Sequence, residues 1–364
     1  MALGAADYFG ARLTSGLVVT RAGHLPSELA AINSLRVIES AHPQPDERSL
    51  AAGAAVADDV SGLPGHARIL FLVSGGASSL VERLAAGVDL ADLRRINDWA
   101  LASGRAIAEV NALRRAVSTL KGGGLATLAG QRTALALMIS DVPRDDPTVI
   151  GSGLLHAGAG LGAGIPALPP DIARILARAR RAPLRMADVP EVPCRIVASV
   201  RQACRAAAER GQARGFVTAV SRRRFSGEAT RLGRKFAREV LGARPRTLLV
   251  WGGESTIMLP PAPGHGGRNQ HLALSAARVL AGTGDAALLA AGTDGIDGVT
   301  ADAGAVVDGG TVARGSDAGL EARHCLVRAD SGRFLEASGD LLHTGPTLTN
   351  VGDVVLGVRG SRVE

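Results

Sequence analysis

Three polar clusters follow one another in the last third of the chain: Gly266-Gly267-Arg268-Asn269-Gln270, Thr293-Asp294-Gly295-Ile296-Asp297-Gly298 and Thr344-Gly345-Pro346-Thr347-Leu348-Thr349-Asn350. Each borders an apolar run, so each reads as a loop on a rigid scaffold, where binding groups concentrate. The Arg268 fork, the carboxylates of Asp294 and Asp297, the hydroxyls of Thr293 and Thr344, the amides of Asn269 and Asn350 and the glycine-freed backbone suit a phosphorylated, metal-bearing ligand. Arg268 precedes a helix starting near Asn269, where it can grip phosphate or carboxylate beside free backbone N–H groups. The carboxylate spacing lacks a full EF-hand series, which argues against a calcium loop.

Three upstream clusters share that polar character. Ser74-Gly75-Gly76-Ala77-Ser78-Ser79 follows the apolar run ending at Val73 and leads into Leu80-Val81-Glu82-Arg83-Leu84, read as helical. Glycines there let a backbone approach a ligand, and a helix N-terminus favours an anion; the alternative is a plain tight turn. Asn111-Ala112-Leu113-Arg114-Arg115 leads to Ser118, Lys121 and Gly122-Gly123-Gly124. The glycine run reads as a helix stop, placing Asn111, Arg115 and Lys121 at the rim of a ligand cleft or in a solvated basic turn. Ser140-Asp141-Val142 with Asp145 and Asp146 follows a strand, where a carboxylate can hold Mg²⁺ or accept a hydroxyl proton; an Asp-rich turn is the bland reading.

The elements that must position these residues are short apolar strands alternating with helical stretches. Leu17–Val19, Ile69–Val73, Ala134–Ile139, Arg195–Ala198, Phe216–Val220, Thr247–Trp251, Leu288–Ala291 and Val354–Val358 read as strands. The spans 93–110 and 172–180 read as helices. Strand–helix alternation predicts α/β architecture with mostly parallel sheets and helices on both faces, and ligands then sit beyond the carboxyl ends of strands. At 364 residues two domains are expected.

The charge balance of +7 and a pI near 10.4 invite a nucleic-acid partner. Nearly all of that basicity is scattered arginine, Lys121 and Lys235 being the only lysines, and aromatics are 2% of residues. A solvated basic face that attracts anionic small molecules fits better than base stacking. No apolar run reaches the roughly 18 residues of a membrane span, and the N-terminus lacks a signal-peptide pattern. Cys194, Cys204 and Cys325 have no metal or redox spacing, which fits a cytoplasmic location.

Together the motifs resemble the type II glycerate 2-kinases, which join an N-terminal glycerate-kinase domain to a MOFRL domain. The likeness is carried by Ser74-Gly75-Gly76, Asn111 to Arg114 with Lys121-Gly122-Gly123, Ser140-Asp141-Val142 with Asp145-Asp146, Gly252-Gly253-Glu254, Gly267 to Gln270, Ala291 to Gly298 and Thr344 to Thr347. It implies ATP- and Mg²⁺-dependent phosphorylation of D-glycerate to 2-phosphoglycerate, with the active site in an interdomain cleft. It divides the chain into a Rossmann-like domain over 1–243 and a MOFRL domain over 244–364.

On the same likeness Arg268 and Asp141 are the catalytic candidates. Ser74, Gly75, Gly76, Asn111, Arg115, Lys121, Asn269, Thr293, Asp294, Asp297, Thr344 and Asn350 are candidates for substrate or phosphate, and Asp141 and Asp294 for metal. Partners are then D-glycerate and nucleotide, with no nucleic acid and no membrane, and the sequence leaves room for a homodimer. Family members normally begin with a strand and a Gly-Lys-Ala turn, and Met1 is expected to lie just beyond that turn. Leu154-Leu155 stands where the family has Pro-Thr, and Leu348 where it has glycine. Two other readings stand beside the kinase: a hydroxypyruvate reductase-type oxidoreductase, which lacks a dinucleotide fingerprint here, and a kinase homologue that binds without turnover.

Overall fold

The computed structural model of the chain describes residues 1–103, 107–158, 168–180 and 186–361. It divides into two compact units, Met1–Val197 and Ala198–Glu364.

In the first unit, β1 (Gly16–Arg21) pairs in parallel with β2 (Leu35–Ser40). A second sheet has the order β3 (Arg68–Val73), β4 (Thr133–Ser140), β5 (Cys194–Ser199). β3 and β4 are parallel, with Val73 opposite Met138, so both strands deliver their carboxyl ends to one edge of the sheet. The helices are α1 (Ala2–Phe9), α2 (Ser27–Ala30), α3 (Glu47–Gly62), α4 (Ala77–Leu80), α5 (Leu90–Ala102), α6 (Ile107–Val117), α7 (Gly124–Ala129) and α8 (Pro170–Arg178). A capping box starts α3: the Asp46 carboxylate accepts from Arg48 N at 2.8 Å, and Asp46 N donates to Ser49 Oγ at 3.2 Å. Phe71, Val73, Leu120, Leu125, Met138 and Ile150 form the core beneath β3 and β4. Side chains of this size each contribute about 1.5–3 kcal/mol on burial.

The second unit holds α9 (Val200–Ala213), β6 (Val217–Val220), β7 (Phe225–Glu228), α10 (Ala229–Gly242), β8 (Thr247–Thr256), α11 (Arg268–Leu280), β9 (Ala286–Gly292), β10 (Gly304–Asp308), α12 (Thr311–Asp317), α13 (Ala322–Val327), α14 (Ser331–Ser338), β11 (Leu341–Leu342) and β12 (Asp353–Arg359). Its sheet runs β11-β10-β9-β12-β8-β6, with β7 also on β8. α11 is the centre of the unit, with Asn269 through Ala277 all buried. It crosses α10 at Gly233, where a Cβ would stand 2.2 Å from Leu272 O, so glycine sets how closely the two helices approach. Phe236, Trp251, Leu272, Phe334 and Val355 fill the space between these helices and the sheet.

The two-domain α/β class holds, with parallel pairing in the first unit as expected. The second unit's sheet is mixed: β8 pairs in parallel with β6 and β7, while β12 with β8 and β9, β9 with β10 and β10 with β11 are antiparallel. The physical reason is the connection from β9 to β10, a loop with no crossover helix, which returns the chain in the opposite direction. By packing, α9, β6, β7 and α10 lie with the second sheet, whereas the motif-based boundary falls after residue 243.

Several local expectations are corrected. The segment after Ser74–Ser79 is helical only over Ala77–Leu80 and leaves the helix at Val81. Gly123, at φ 87°, starts α7 rather than ending the preceding helix, which stops at Val117. β8 continues through Gly252-Gly253-Glu254-Ser255 to Thr256, because its edges are paired by β12 and β7 over that stretch. The helix expected over 93–110 contains most of α5 and the start of α6, and residues 104–106 between them lie outside the described residues.

Leu348 adopts φ 61°. A left-handed backbone costs a Cβ-bearing residue about 1–2 kcal/mol, and Leu348 is exposed, so few contacts offset it. Leu348→Gly should raise stability by roughly 0.5–1 kcal/mol once glycine's larger unfolded-state entropy is subtracted. A lower melting temperature would mean that the leucine side chain's contacts outweigh the strain.

Candidate active site

In the first unit the turn Ser74-Gly75-Gly76 leaves β3 beside Asp141, the residue after β4. A Cβ on Gly75 would fall 1.7 Å from Asp141 Oδ2 and 2.5 Å from its Oδ1. The carboxylate therefore lies directly on the glycine backbone, and only glycine permits that approach. Gly76 faces the exposed His42 ring, 3.3 Å from where its Cβ would be. Ser78 Oγ and Ser152 Oγ are 2.7 Å apart, and Ser152 Oγ donates to Asn111 Oδ1 at 3.0 Å, linking the turn to α6. The loop after β4 is strained: Arg144, Asp145 and Ser152 have φ of 65°, 54° and 59°. Such conformations persist only when the surroundings hold them, and they cluster at functional sites. Asp146 takes a turn role, accepting from Thr148 N and Oγ1 at 2.9 and 2.8 Å.

Lys121 does not line a rim, and this corrects its expected placement. It is 1% exposed and its ammonium bonds the Glu82 carboxylate, itself fully buried. Burial lowers the ammonium's pKa, Glu82 opposes that shift, and Arg114 adds to it. Glu82 matches the ammonium's charge, and an unpaired buried charge would be very costly. Asn111 is also buried, engaged with Ser152. Arg115 is half-buried, its stem against Gly122 and its guanidinium against Gly158, where absent side chains leave it room.

In the second unit the three C-terminal clusters come together. Thr293 Oγ1 donates to Gly352 O at 2.7 Å, and Val351 N donates to Thr293 Oγ1 at 2.9 Å. Thr347 N donates to Asp294 O at 3.0 Å, and a Cβ on Gly295 would meet Gly345 O at 2.1 Å. Asp294 is half-exposed and its Oδ1 accepts from Ile296 N at 3.2 Å. Thr344 and Asn350 are exposed; Asn350 Oδ1 accepts from Gly352 N at 2.8 Å and closes its own turn.

Asp297 binds the cluster to α11. Its Oδ1 accepts from Asn269 N at 3.0 Å and its Oδ2 from Gln270 N at 2.7 Å. Two of the N–H groups expected to meet a ligand anion at this helix end are thus already taken by a buried internal carboxylate. Burial pushes the Asp297 carboxyl up to about 6, against those two backbone N–H bonds, which favour the anion. A folded-state value above the ordinary 3.8 means that the folded chain takes up this proton first as pH falls. The stability it contributes is full below the unfolded value and lost as pH rises through the folded one. Urea unfolding should show the wild type gaining up to about 3 kcal/mol relative to Asp297→Asn between about pH 7 and about pH 3.5. An unchanged difference would mean that Asp297 titrates alike in both states.

Arg268, first residue of α11, is held between two carboxylates. Nη1 donates to Glu254 Oε1 at 2.5 Å and to Ser255 O at 3.1 Å, while Nη2 stands 3.5 Å from Asp353 Oδ2. Burial works against its charge, but Asp353 and then Glu254 outweigh it and hold the guanidinium above its ordinary pKa. Ser255 Oγ, Asn269 Oδ1 and Asp353 Oδ2 are buried around it with no hydrogen-bond partner among the described residues. Buried orphan polar atoms are uncommon in a fold and gather where a ligand or water completes the set.

Among the described residues no three His, Cys, Asp or Glu side chains gather as a metal cage. Mg²⁺ ordinarily needs only one or two carboxylates beside substrate phosphates, which half-exposed Asp141 or Asp294 can supply. No helix among the described residues is long and apolar enough to cross a membrane. The sequence left His42 and Asp353 unmarked: His42 arrives from an unrelated loop, and Asp353 is visible only as a carboxylate opening the last strand.

The family described as a domain of unknown function, DUF4147, matches residues 1–159, and the MOFRL family matches residues 247–353. An Agrobacterium vitis protein provisionally named a hydroxypyruvate reductase is 38% identical, over 93% of this chain and 91% of its own. The D-glycerate 2-kinase of Thermotoga maritima is 35% identical, over 98% of this chain and 87% of its own. The crystal structure of a Thermotoga maritima glycerate kinase superposes with a TM-score of 0.84 at 33% identity, covering 99% of this chain and 88% of that one. With both family matches in order along the chain and that likeness running through nearly all of it, the chain belongs to the type II glycerate 2-kinase family.

Proposed function

We propose that this chain transfers the terminal phosphoryl group of ATP to the 2-hydroxyl of D-glycerate, giving 2-phosphoglycerate and ADP. The observation that carries the reading is Arg268, a half-exposed guanidinium with one end against a buried carboxylate and the other against an exposed one. Phosphoryl transfer asks a protein for positioning and charge neutralisation more than for covalent chemistry. A planar fork held in that way supplies both to a phosphoryl oxygen.

In this reading the glycerate oxygen attacks the terminal phosphorus, the bond to the ADP oxygen breaks, and the hydroxyl proton passes to Asp141. The Ser74-Gly75-Gly76 turn receives the substrate carboxylate or a phosphate on its backbone and hydroxyl donors. Arg268 braces the transferring group, and Thr293, Asp294, Thr344 and Asn350 border the site in their unit. Bound Mg²⁺ would neutralise phosphate charge, with Asp141 or Asp294 as its protein ligand. The cytoplasm, where ATP is abundant and thiols stay reduced, is the compartment this chemistry suits.

The provisional reductase name of the Agrobacterium relatives keeps the oxidoreductase reading in view. The chain has no G-x-G-x-x-G fingerprint with a following ribose-binding acid, which weighs against it. One pair of assays decides. ADP release dependent on D-glycerate, with phosphorus NMR assigning the 2-phosphate, supports the kinase. NADH consumption with hydroxypyruvate and no ADP release would overturn it, and nucleotide binding without turnover would leave a non-catalytic homologue.

A further inference from the structure

We infer that Asp353 is a positioning residue for phosphoryl transfer: its buried carboxylate fixes the face of the Arg268 guanidinium that meets the transferring group. The inference rests on the role given to Arg268 above and adds a residue that the sequence motifs did not mark. The two carboxylates on Arg268 differ in kind. The Glu254 side chain is 55% exposed and that of Asp353 4%. An exposed ion pair holds little, because water and salt compete for both partners. Its Nη1 end is therefore the end that an anionic substrate can take over.

Asp353 is held by its surroundings instead. It opens β12 between Gly253 of β8 and Gly292 of β9. Its Oδ1 accepts from Asn269 Nδ2 at 3.1 Å, and the same amide reaches Asp297 Oδ1 at 3.3 Å. The carboxylate is thus tied through Asn269 to the start of α11, the helix that carries Arg268. Burial raises its pKa and Glu254 adds to that, while Arg268, Asn269 and the Ser255 backbone N–H favour the anion. Asp353 Oδ2 stands 3.5 Å from Nη2, just beyond hydrogen-bond length. Contacts to a reacting group are often loose before substrate binds and tighten in the complex.

A cycle of Asp353→Asn, Arg268→Ala and the double variant in the full chain tests this, read as kcat and KM for D-glycerate and ATP. Asp353→Asn should lower kcat about 10²-fold with KM for D-glycerate moving less than about threefold, and should cost almost nothing more in the Arg268→Ala background. Added guanidinium at millimolar concentration should restore part of kcat to Arg268→Ala but not to the double variant, a readout that a purely structural Asp353 would not move. If Asp353→Asn lowers kcat by the same factor in both backgrounds, or guanidinium rescues both alike, Asp353 does not act through Arg268 and the inference falls. If circular dichroism finds Asp353→Asn unfolded, Asp353→Glu carries the same cycle, keeping the charge and shifting it by one methylene. Loss of no activity in Arg268→Ala would instead overturn the reading of Arg268 itself.

Discussion

Arg268→Ala should lower kcat by about 10²–10³-fold while the KM for D-glycerate changes by less than about threefold. The asymmetry follows from where the guanidinium sits. Before substrate arrives its Nη1 already donates to Glu254 and to Ser255 O, so a ground-state contact gains little. Charge that builds on the transferring phosphoryl oxygens is what a half-buried fork meets better than water can. Removing it forfeits stabilisation made in the transition state, which appears in kcat. Steady-state kinetics with both substrates varied would check this. An unchanged kcat with a raised KM would make Arg268 a binding residue.

Gly75→Ala should reduce kcat/KM about 10²-fold, whereas Gly76→Ala should cost far less. At Gly75 the new Cβ would overlap the Asp141 carboxylate, 1.7 Å from Oδ2, and something must move. Gly75 sits in a half-exposed turn, whereas Asp141 directly follows a paired strand, so the carboxylate and the turn are driven apart by about an ångström. Displacement on that scale at reacting groups costs around 10²-fold. At Gly76 the new methyl would meet the edge of the exposed His42 ring at 3.3 Å, which can give, and Leu80 Cδ1 at an ordinary 3.8 Å. The contrast matters more than either value: equal effects at the two glycines would argue that turn flexibility, rather than the Asp141 contact, is what activity needs. Melting temperatures of both variants separate this from a loss of fold.

Much of this architecture is legible before any coordinates. Apolar runs such as Ile69–Val73 and Ala134–Ile139 are buried strands with turn residues after them, so β3 and β4 and the loops they deliver are readable from local chemistry. What escapes is whatever a distant partner decides. Gly252-Gly253-Glu254 looks like a loop by composition, yet it stays extended because β12 and β7 supply hydrogen bonds from elsewhere in the chain. The glycines at 122–124 suit a helix end and a helix beginning equally, and Gly123 serves as the beginning. Lys121 and Asp297 carry charges that belong on a surface by type, and each is buried against a partner remote in sequence, Glu82 and the start of α11. Charge type suggests a ligand; the tertiary partner decides whether one is needed.

β12 occupies the middle of the second sheet, between β8 and β9, although its residues 353–359 come after every other strand described. During synthesis every other strand of that sheet must leave the ribosome before the slot can be filled. Until then β8 and β9 present unpaired edges, the kind of surface on which nascent chains associate wrongly. Because the strand begins with Asp353, the buried anion beside Arg268 arrives with it. A chain trimmed before residue 353 would lose its sheet and its charge balance together, so quality control of this unit and readiness of its arginine are one event in time.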